Sequence, residues 1–331
     1  IWNKEKQPNQ WEALRDYIVS KNPEKIGINT SSYESLADGL SKYHFDQLYS
    51  VLSPKFRKKI VSAEDLAIAW IETRTDIEMT AFSQLVEISS AIIREAFSTN
   101  VITPGITTTD DVVWWMREKV IELGLDTWFH PTVDVQRKDD SDLYAFDNNS
   151  KFDTILPGDL LHCDFGISYL TLNTDTQELG YVLKPEETNA PDFLINALKD
   201  GNRVQDIFTN NFKQGATGNQ ILKKALEQSM AEGLRPSIYT HPLGTYGHSA
   251  GTTLGMWDSQ GGVPFSGDYP LQHNTAYAIE LNTTVYIPEW KKDIRIMLEV
   301  PGFYGKNGFR YINGRQTELL LVGPKQDGLN D

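Results

Sequence analysis

Gly105-Ile106-Thr107 leads into a helical stretch ending at Glu122-Leu123-Gly124-Leu125, and Gly215-Ala216-Thr217 leads into another ending at Glu232-Gly233-Leu234. This internal echo constrains the fold more than any other feature of the chain. A long helical pattern precedes each opening, and a strand-rich stretch follows each ending, Thr127 to Leu183 in the first half and Ser237 to Val322 in the second. One residue of spacing differs between the two copies. Two helix-helix-sheet halves predict an α/β (α+β) domain with pseudo-twofold symmetry and a site at the seam.

The chain ahead of these halves reads differently. Residues 1 to about 61 alternate a polar helix at Gln10 to Ser20, a short strand at Lys25 to Asn29 and helical patterning through Leu36 to Leu52. This is a partial N-terminal α/β piece, and the expected division is 1–61 and 62–331. Ser62 with Asp65 predicts a capping box at the start of the next helix. Thr75 with Glu78 predicts a second box, at the head of a longer helix with Phe82, Leu85, Val86, Ile88, Ile92 and Ile93 at helical spacing.

Composition narrows the classes of function. With 40% apolar residues, 331 residues are enough for a large core. Against 45 Asp and Glu stand 31 Lys and Arg, a formal charge of -14, with the acids spread along the chain. Phosphate binding needs a basic face, so nucleic acid is not an expected partner. No apolar run approaches the roughly 18 residues of a membrane-spanning helix, and no membrane partner is expected. Cys163 is the sole cysteine, which excludes an internal disulfide and a thiolate zinc cluster. Any metal must therefore be held by oxygen and imidazole. The start at Ile1, without a methionine, is compatible with a segment removed from the N-terminus, and localisation stays open between cytoplasm and periplasm or secretion.

Several acids stand where an unpaired charge is costly. After the Pro157-Gly158-Asp159 turn, the apolar run from Leu160 ends in Asp164, and Asp175 follows after 11 residues in the next strand-like stretch. Adjacent antiparallel strands would bring the two together at one rim. Glu280 lies inside Ala276 to Leu281, and Glu318 precedes Leu319 to Val322. His248 sits in the glycine-flanked loop Gly244 to Gly251, which lets backbone approach a crowded site. Taken singly, each is an ordinary strand-edge acid or surface histidine; in this order they specify something.

The order resembles the ligand order of the pita-bread metallopeptidases: methionine aminopeptidase, prolidase and aminopeptidase P. The resemblance covers about residues 70 to 325, is most specific from Asp159 to Asp175, and includes the Pro104-Gly105-Ile106-Thr107 turn. The N-terminal piece resembles the end of the extra domain of prolidase and aminopeptidase P. The resemblance implies two divalent ions (manganese, cobalt, iron or zinc) held by Asp164, Asp175, His248, Glu280 and Glu318. It implies that Asp164 and Glu318 bridge the ions and that Glu280 takes a proton from the attacking water. For the last ligand, Asp293-Ile294-Arg295-Ile296 resembles the prolidase run and nominates Glu299, whereas Gln316-Thr317-Glu318 resembles the methionine aminopeptidase ending and is preferred.

The activity implied is hydrolysis of the N-terminal bond of Xaa-Pro or short peptides, with a short peptide as partner and a homodimer by analogy. Family members also carry a histidine seven residues past the ligand one, but counted from His248 that position is Gly255; nor does Tyr144 to Ser150 contain the histidine expected before the first Asp. His241 and His162 are the candidate replacements for holding the substrate carbonyl, with His241 preferred. A pita-bread binding module without turnover and a metal-free, creatinase-like C–N hydrolase are the alternatives, the latter predicting lost ligands.

Overall fold

A computed structural model describes residues 2–139 and 153–323. Two compact units are present, Ile1–Ile71 and Glu72–Asp331. The division falls after Ile71 instead of residue 61, so most of the helix that follows Ser62 goes with the first unit.

In the first unit Asn9 caps α1 (Gln10–Lys21), its side chain accepting from the amides of Trp11 and Glu12. Then come β1 (Ile26–Ile28), α2 (Lys42–Val51), α3 (Pro54–Arg57) and β2 (Ile60–Ser62), with β1 and β2 paired in parallel. Ile28, Leu48, Leu52 and Phe56 form a small core of its own. The chain then enters α4 (Glu64–Glu72). Ser62 Oγ accepts from the Glu64 amide at 3.1 Å, so it acts one residue ahead of the expected box with Asp65.

The second unit opens with α5 (Asp76–Ala96), started by the expected Thr75–Glu78 capping box. Of its expected apolar stripe, Phe82, Leu85, Val86, Ile92 and Ile93 are buried, whereas Ile88 is exposed. The rest of the first half is α6 (Thr109–Glu122), β3 (Asp126–Thr127), β4 (Thr132–Gln136), β5 (Leu160–Phe165), β6 (Ile167–Tyr169), β7 (Leu172–Asn173) and β8 (Thr176–Val182). The second half is α7 (Asp192–Asn210), α8 (Gly218–Ala231), β9 (Pro236–Ile238), β10 (His241–Leu243), β11 (Thr275–Ile287), β12 (Lys292–Gly305), β13 (Gly308–Tyr311) and β14 (Leu320–Val322). One sheet runs β10-β11-β12-β8-β5-β4 with β9, β13 and β14 alongside; β3, β6 and β7 form a small separate one.

The echo in the sequence is a real structural repeat. Gly105 and Gly215 both take positive φ, at 85° and 77°. Their amides donate to Ile155 O and Leu271 O, at 2.7 and 3.0 Å. Thr108 and Thr217 both cap the next helix through a capping box, and Gly124 and Gly233 both end it with positive φ. Each pair of helices covers the same side of the sheet, with Phe97 beside Gly180 in one half and Gly201 of α7 against Ile296 and Leu298 in the other. The opposite side, where Leu160, Leu179 and Tyr181 are also buried further along, carries the polar residues of the site.

Register decides which residues those are. Across the sheet Thr132 pairs with Asp164, Asp164 with Gln177, Gln177 with Glu299, and Glu299 with Glu280. Residues directly opposite one another share a face. A single rung therefore carries Asp164, Gln177, Glu299 and Glu280 side by side.

Candidate metal centre

Two further residues join the rung by the period of two along a strand. Asp175 precedes Gln177 by two positions, and His241 pairs with Ala278, two positions from Glu280. Three overlapping groups result, each with ligand atoms within 4.8 Å of one another: Asp164, Asp175 and Glu299; His241, Glu280 and Glu299; Asp175, His241 and His248. His241 Nε2 lies 3.7 Å from Asp175 Oδ2 and 3.8 Å from Glu299 Oε1.

The cluster is electrostatically strained without a cation. Burial pushes the Asp164 carboxyl up to about 6. Burial and then the nearby charge of Asp164 push Glu280 up to about 8. Asp175 and Glu299 rise well above the carboxylate range, from burial first and from the other acids of the cluster second. His241 moves the other way, down to about 3, because it is buried and lies beside His248.

His241 is therefore neutral, and its tautomer follows from its contacts. Nδ1 lies 3.0 Å from Pro242 O, an acceptor, so Nδ1 carries the hydrogen and the Nε2 lone pair faces the carboxylates. Lone pair against carboxylate is repulsive unless a cation lies between. His241 Nε2, Asp164 Oδ1 and Glu299 Oε1 are all buried without a hydrogen-bond partner among the described residues. Four carboxylates and one imidazole form an oxygen-rich donor set that suits hard or borderline divalent ions, and their charge suits two of them. The residues present fit such ions.

This arrangement changes three expectations. Glu318 is exposed and lies ahead of β14, which pairs with β8 from Leu320 at Gly180. It belongs to none of the three groups of ligand atoms. Glu299, nominated by the Asp293-Ile294-Arg295-Ile296 run, stands in the rung instead. Second, the histidine at the carboxylates is His241, and His248 lies one loop further out, exposed, its ring 4.4 Å from that of His241. Counted from His241, the position seven residues on is His248 itself. Third, His162 is buried on β5 with Nε2 2.9 Å from Gln177 Oε1, so that nitrogen is engaged by the amide. The stretch Tyr144 to Ser150 lies outside the described residues.

The loop joining the two histidines is held from several sides. Ser249 N donates to Pro242 O, Asn173 Nδ2 donates to the carbonyls of Gly244 and Thr245, and Arg74 donates to Thr245 Oγ1 at 2.9 Å. Trp128 packs edge-on to His248 at 5.4 Å between ring centroids, and Tyr239 does so at 5.9 Å. The indole is fixed by a 2.7 Å bond to Thr174 O, and a Cβ on Gly247 would collide with it. Sequence reasoning missed Gln177, Trp128 and Tyr239. Only Gln177 left a signal there, the period of two from Asp175.

Solved structures of known proteins share this fold. An X-Pro aminopeptidase from Thermotoga maritima MSB8 superposes with a TM-score of 0.66 at 16% identity, covering 95% of this chain and 80% of that one. A prolidase from Pyrococcus furiosus gives 0.57 at 17% identity, covering 88% and 77%. Dipeptidase PepE from Mycobacterium ulcerans gives 0.59 at 19%, covering 87% and 70%. A search of curated protein sequences returns no match. Residues 81–301, more than half of the chain and containing all six residues from Asp164 to Glu299 that form the cluster, match the model of metallopeptidase family M24. The chain thus belongs to metallopeptidase family M24, with the pita-bread fold.

Proposed function

We propose that the protein is a metal-dependent aminopeptidase that cleaves the N-terminal bond of Xaa-Pro or short peptides, with Asp164, Asp175, His241, Glu280 and Glu299 holding two divalent ions. The observation that carries this reading is the convergence of three buried, unpartnered ligand atoms, Asp164 Oδ1, His241 Nε2 and Glu299 Oε1, in one carboxylate cluster. Divalent ions there would lower the pKa of a bound water and polarise the scissile carbonyl.

The chain's own residues supply the rest. Glu280, with Oε1 held by Gln177, accepts the proton released by the water. His248, exposed beside His241 and braced by Trp128 and Tyr239, is placed to hold the substrate carbonyl and the charge that develops on it. Burial and the surrounding carboxylates push the Tyr239 phenol up to about 12, so it stays a neutral donor at the rim.

The preference for proline is supported by the activities for which proteins sharing the fold are named, an X-Pro aminopeptidase and a prolidase. An X-Pro bond has no N–H, so a site closed over the ring leaves no donor unpaired. Element analysis of protein prepared without chelator, followed by cleavage of Ala-Pro and Met-Ala peptides, tests the reading. Close to two ions per chain and faster cleavage of Ala-Pro are expected. Absence of metal uptake would overturn the centre, and faster cleavage of Met-Ala would overturn the specificity.

A further inference from the structure

We propose that Gln177 is a positioning residue that sets which oxygens Glu280 and Glu299 present to the ions, an inference that rests on the metal reading above. Gln177 stands in the middle of the rung, between Asp164 and Glu299. Its Nε2 donates to Glu280 Oε1 at 2.8 Å and to Glu299 Oε2 at 3.0 Å. Both hydrogens of the amide are thereby used.

The orientation of the amide follows from the chemistry of its neighbours. Ionised carboxylates only accept, so the NH2 group faces them and Oε1 faces His162 Nε2 at 2.9 Å. His162 must then carry its hydrogen on Nε2. On the far side of the ring, Nδ1 lies 3.6 Å from Asp134 Oδ2. A buried pair, His162 and Gln177, thus ends on two glutamates that face each other across adjacent strands.

One lone pair on one oxygen of each glutamate is taken by this contact, which favours Glu280 Oε2 and Glu299 Oε1 for coordination. Glu299 Oε1 is the unpartnered atom turned toward His241 Nε2. Gln177 thus selects the oxygen that meets the imidazole ligand. A neutral donor suits the task, because Lys or Arg at 177 would compete with the ions for the same carboxylates.

The test compares wild type with Gln177→Met, which keeps the length and loses the donors, and with His162→Leu and His162→Gln. Each is checked for fold by circular dichroism, titrated with Mn2+ by calorimetry, loaded with Co2+ for its visible absorption, and assayed for kcat and KM on a proline peptide. Gln177→Met should bind Mn2+ about 10- to 100-fold more weakly, the usual cost of losing an outer-shell partner, with an altered Co2+ spectrum and a fall in kcat larger than the change in KM. His162→Leu should shift the same way by less, and His162→Gln, which still has an N–H for Gln177 Oε1, should recover part of the loss. A folded Gln177→Met with wild-type affinity and spectrum overturns the proposal and leaves the metal reading standing. If Gln177→Met does not fold, the His162 pair decides, and equal affinities in Leu and Gln overturn it. Wild-type protein that takes up neither Mn2+ nor Co2+ overturns both readings together.

Discussion

Glu72 ends α4 with its carboxyl group only 4% exposed, accepting a hydrogen bond from the Thr252 amide at 3.3 Å. It packs so closely on Gly251 that any Cβ there would run into Oε2. Burial raises its pKa from 4.5 to about 7, partly offset by the Thr252 bond. Between those two values the folded chain holds a proton that the unfolded chain has released. The stability contributed is therefore complete below about 4.5 and is lost as pH rises through about 7. At about 1.36 kcal/mol per pKa unit, the whole window is worth about 3 kcal/mol, of which about 2.5 falls between pH 5 and 8. Glu72→Gln keeps an oxygen for Thr252 and removes the ionisation. In urea unfolding of metal-free protein at pH 5 and pH 8, the variant should gain about 2 to 3 kcal/mol on wild type across the interval, since the other titrating groups are common to both. A gain within about 0.5 kcal/mol, the scatter of neutral substitutions, would mean that Glu72 is not held protonated by burial and would refute the reasoning.

Three more outcomes follow from the centre. Glu299→Ala should lower metal stoichiometry and abolish most activity, whereas Glu318→Ala should leave both close to wild type; inductively coupled plasma analysis of the two proteins checks this, and the reverse pattern would restore Glu318 as the ligand. His241→Ala should lose metal, while His248→Ala should keep it and lose turnover, because the first lies within ligand reach of Asp175, Glu280 and Glu299 and the second, exposed, within reach of Asp175 alone among the carboxylates; metal content measured beside kcat separates the two roles. Glu280→Gln should keep its fold and part of its metal yet fall on the order of 100- to 10,000-fold in kcat, the usual range for a lost general base, and a variant with near-normal turnover would place the base elsewhere.

Much of this was legible along the chain because it is local. Helix starts depend on residues three apart, so the Thr75–Glu78 box was read correctly. The repeat was visible because its glycines are tied to turns that need positive φ, and the same turn recurs in both halves. Asp164, Asp175 and Glu280 were nominated because a carboxylate against an apolar strand is anomalous wherever it occurs. The competing assignments are of another kind. Glu299 and Glu318 look alike in sequence, as do His241 and His248, each an acid or imidazole beside apolar or glycine-rich chain.

By itself, then, the sequence determined the element types, the doubled architecture and the inventory of acids and histidines from which a metal centre could be made. Only the tertiary structure decided which of them meet. The β8–β12–β11 register aligns Gln177, Glu299 and Glu280, and Glu318, exposed ahead of β14, joins none of the ligand groups. The physical reason is the period of two in a strand: a pairing shifted by one residue exchanges every side chain between faces, and pairing partners distant in sequence leave no local trace of their register. The same holds for His241, whose neutral tautomer and lone pair depend on the Pro242 carbonyl and on carboxylates brought in by β8 and β12.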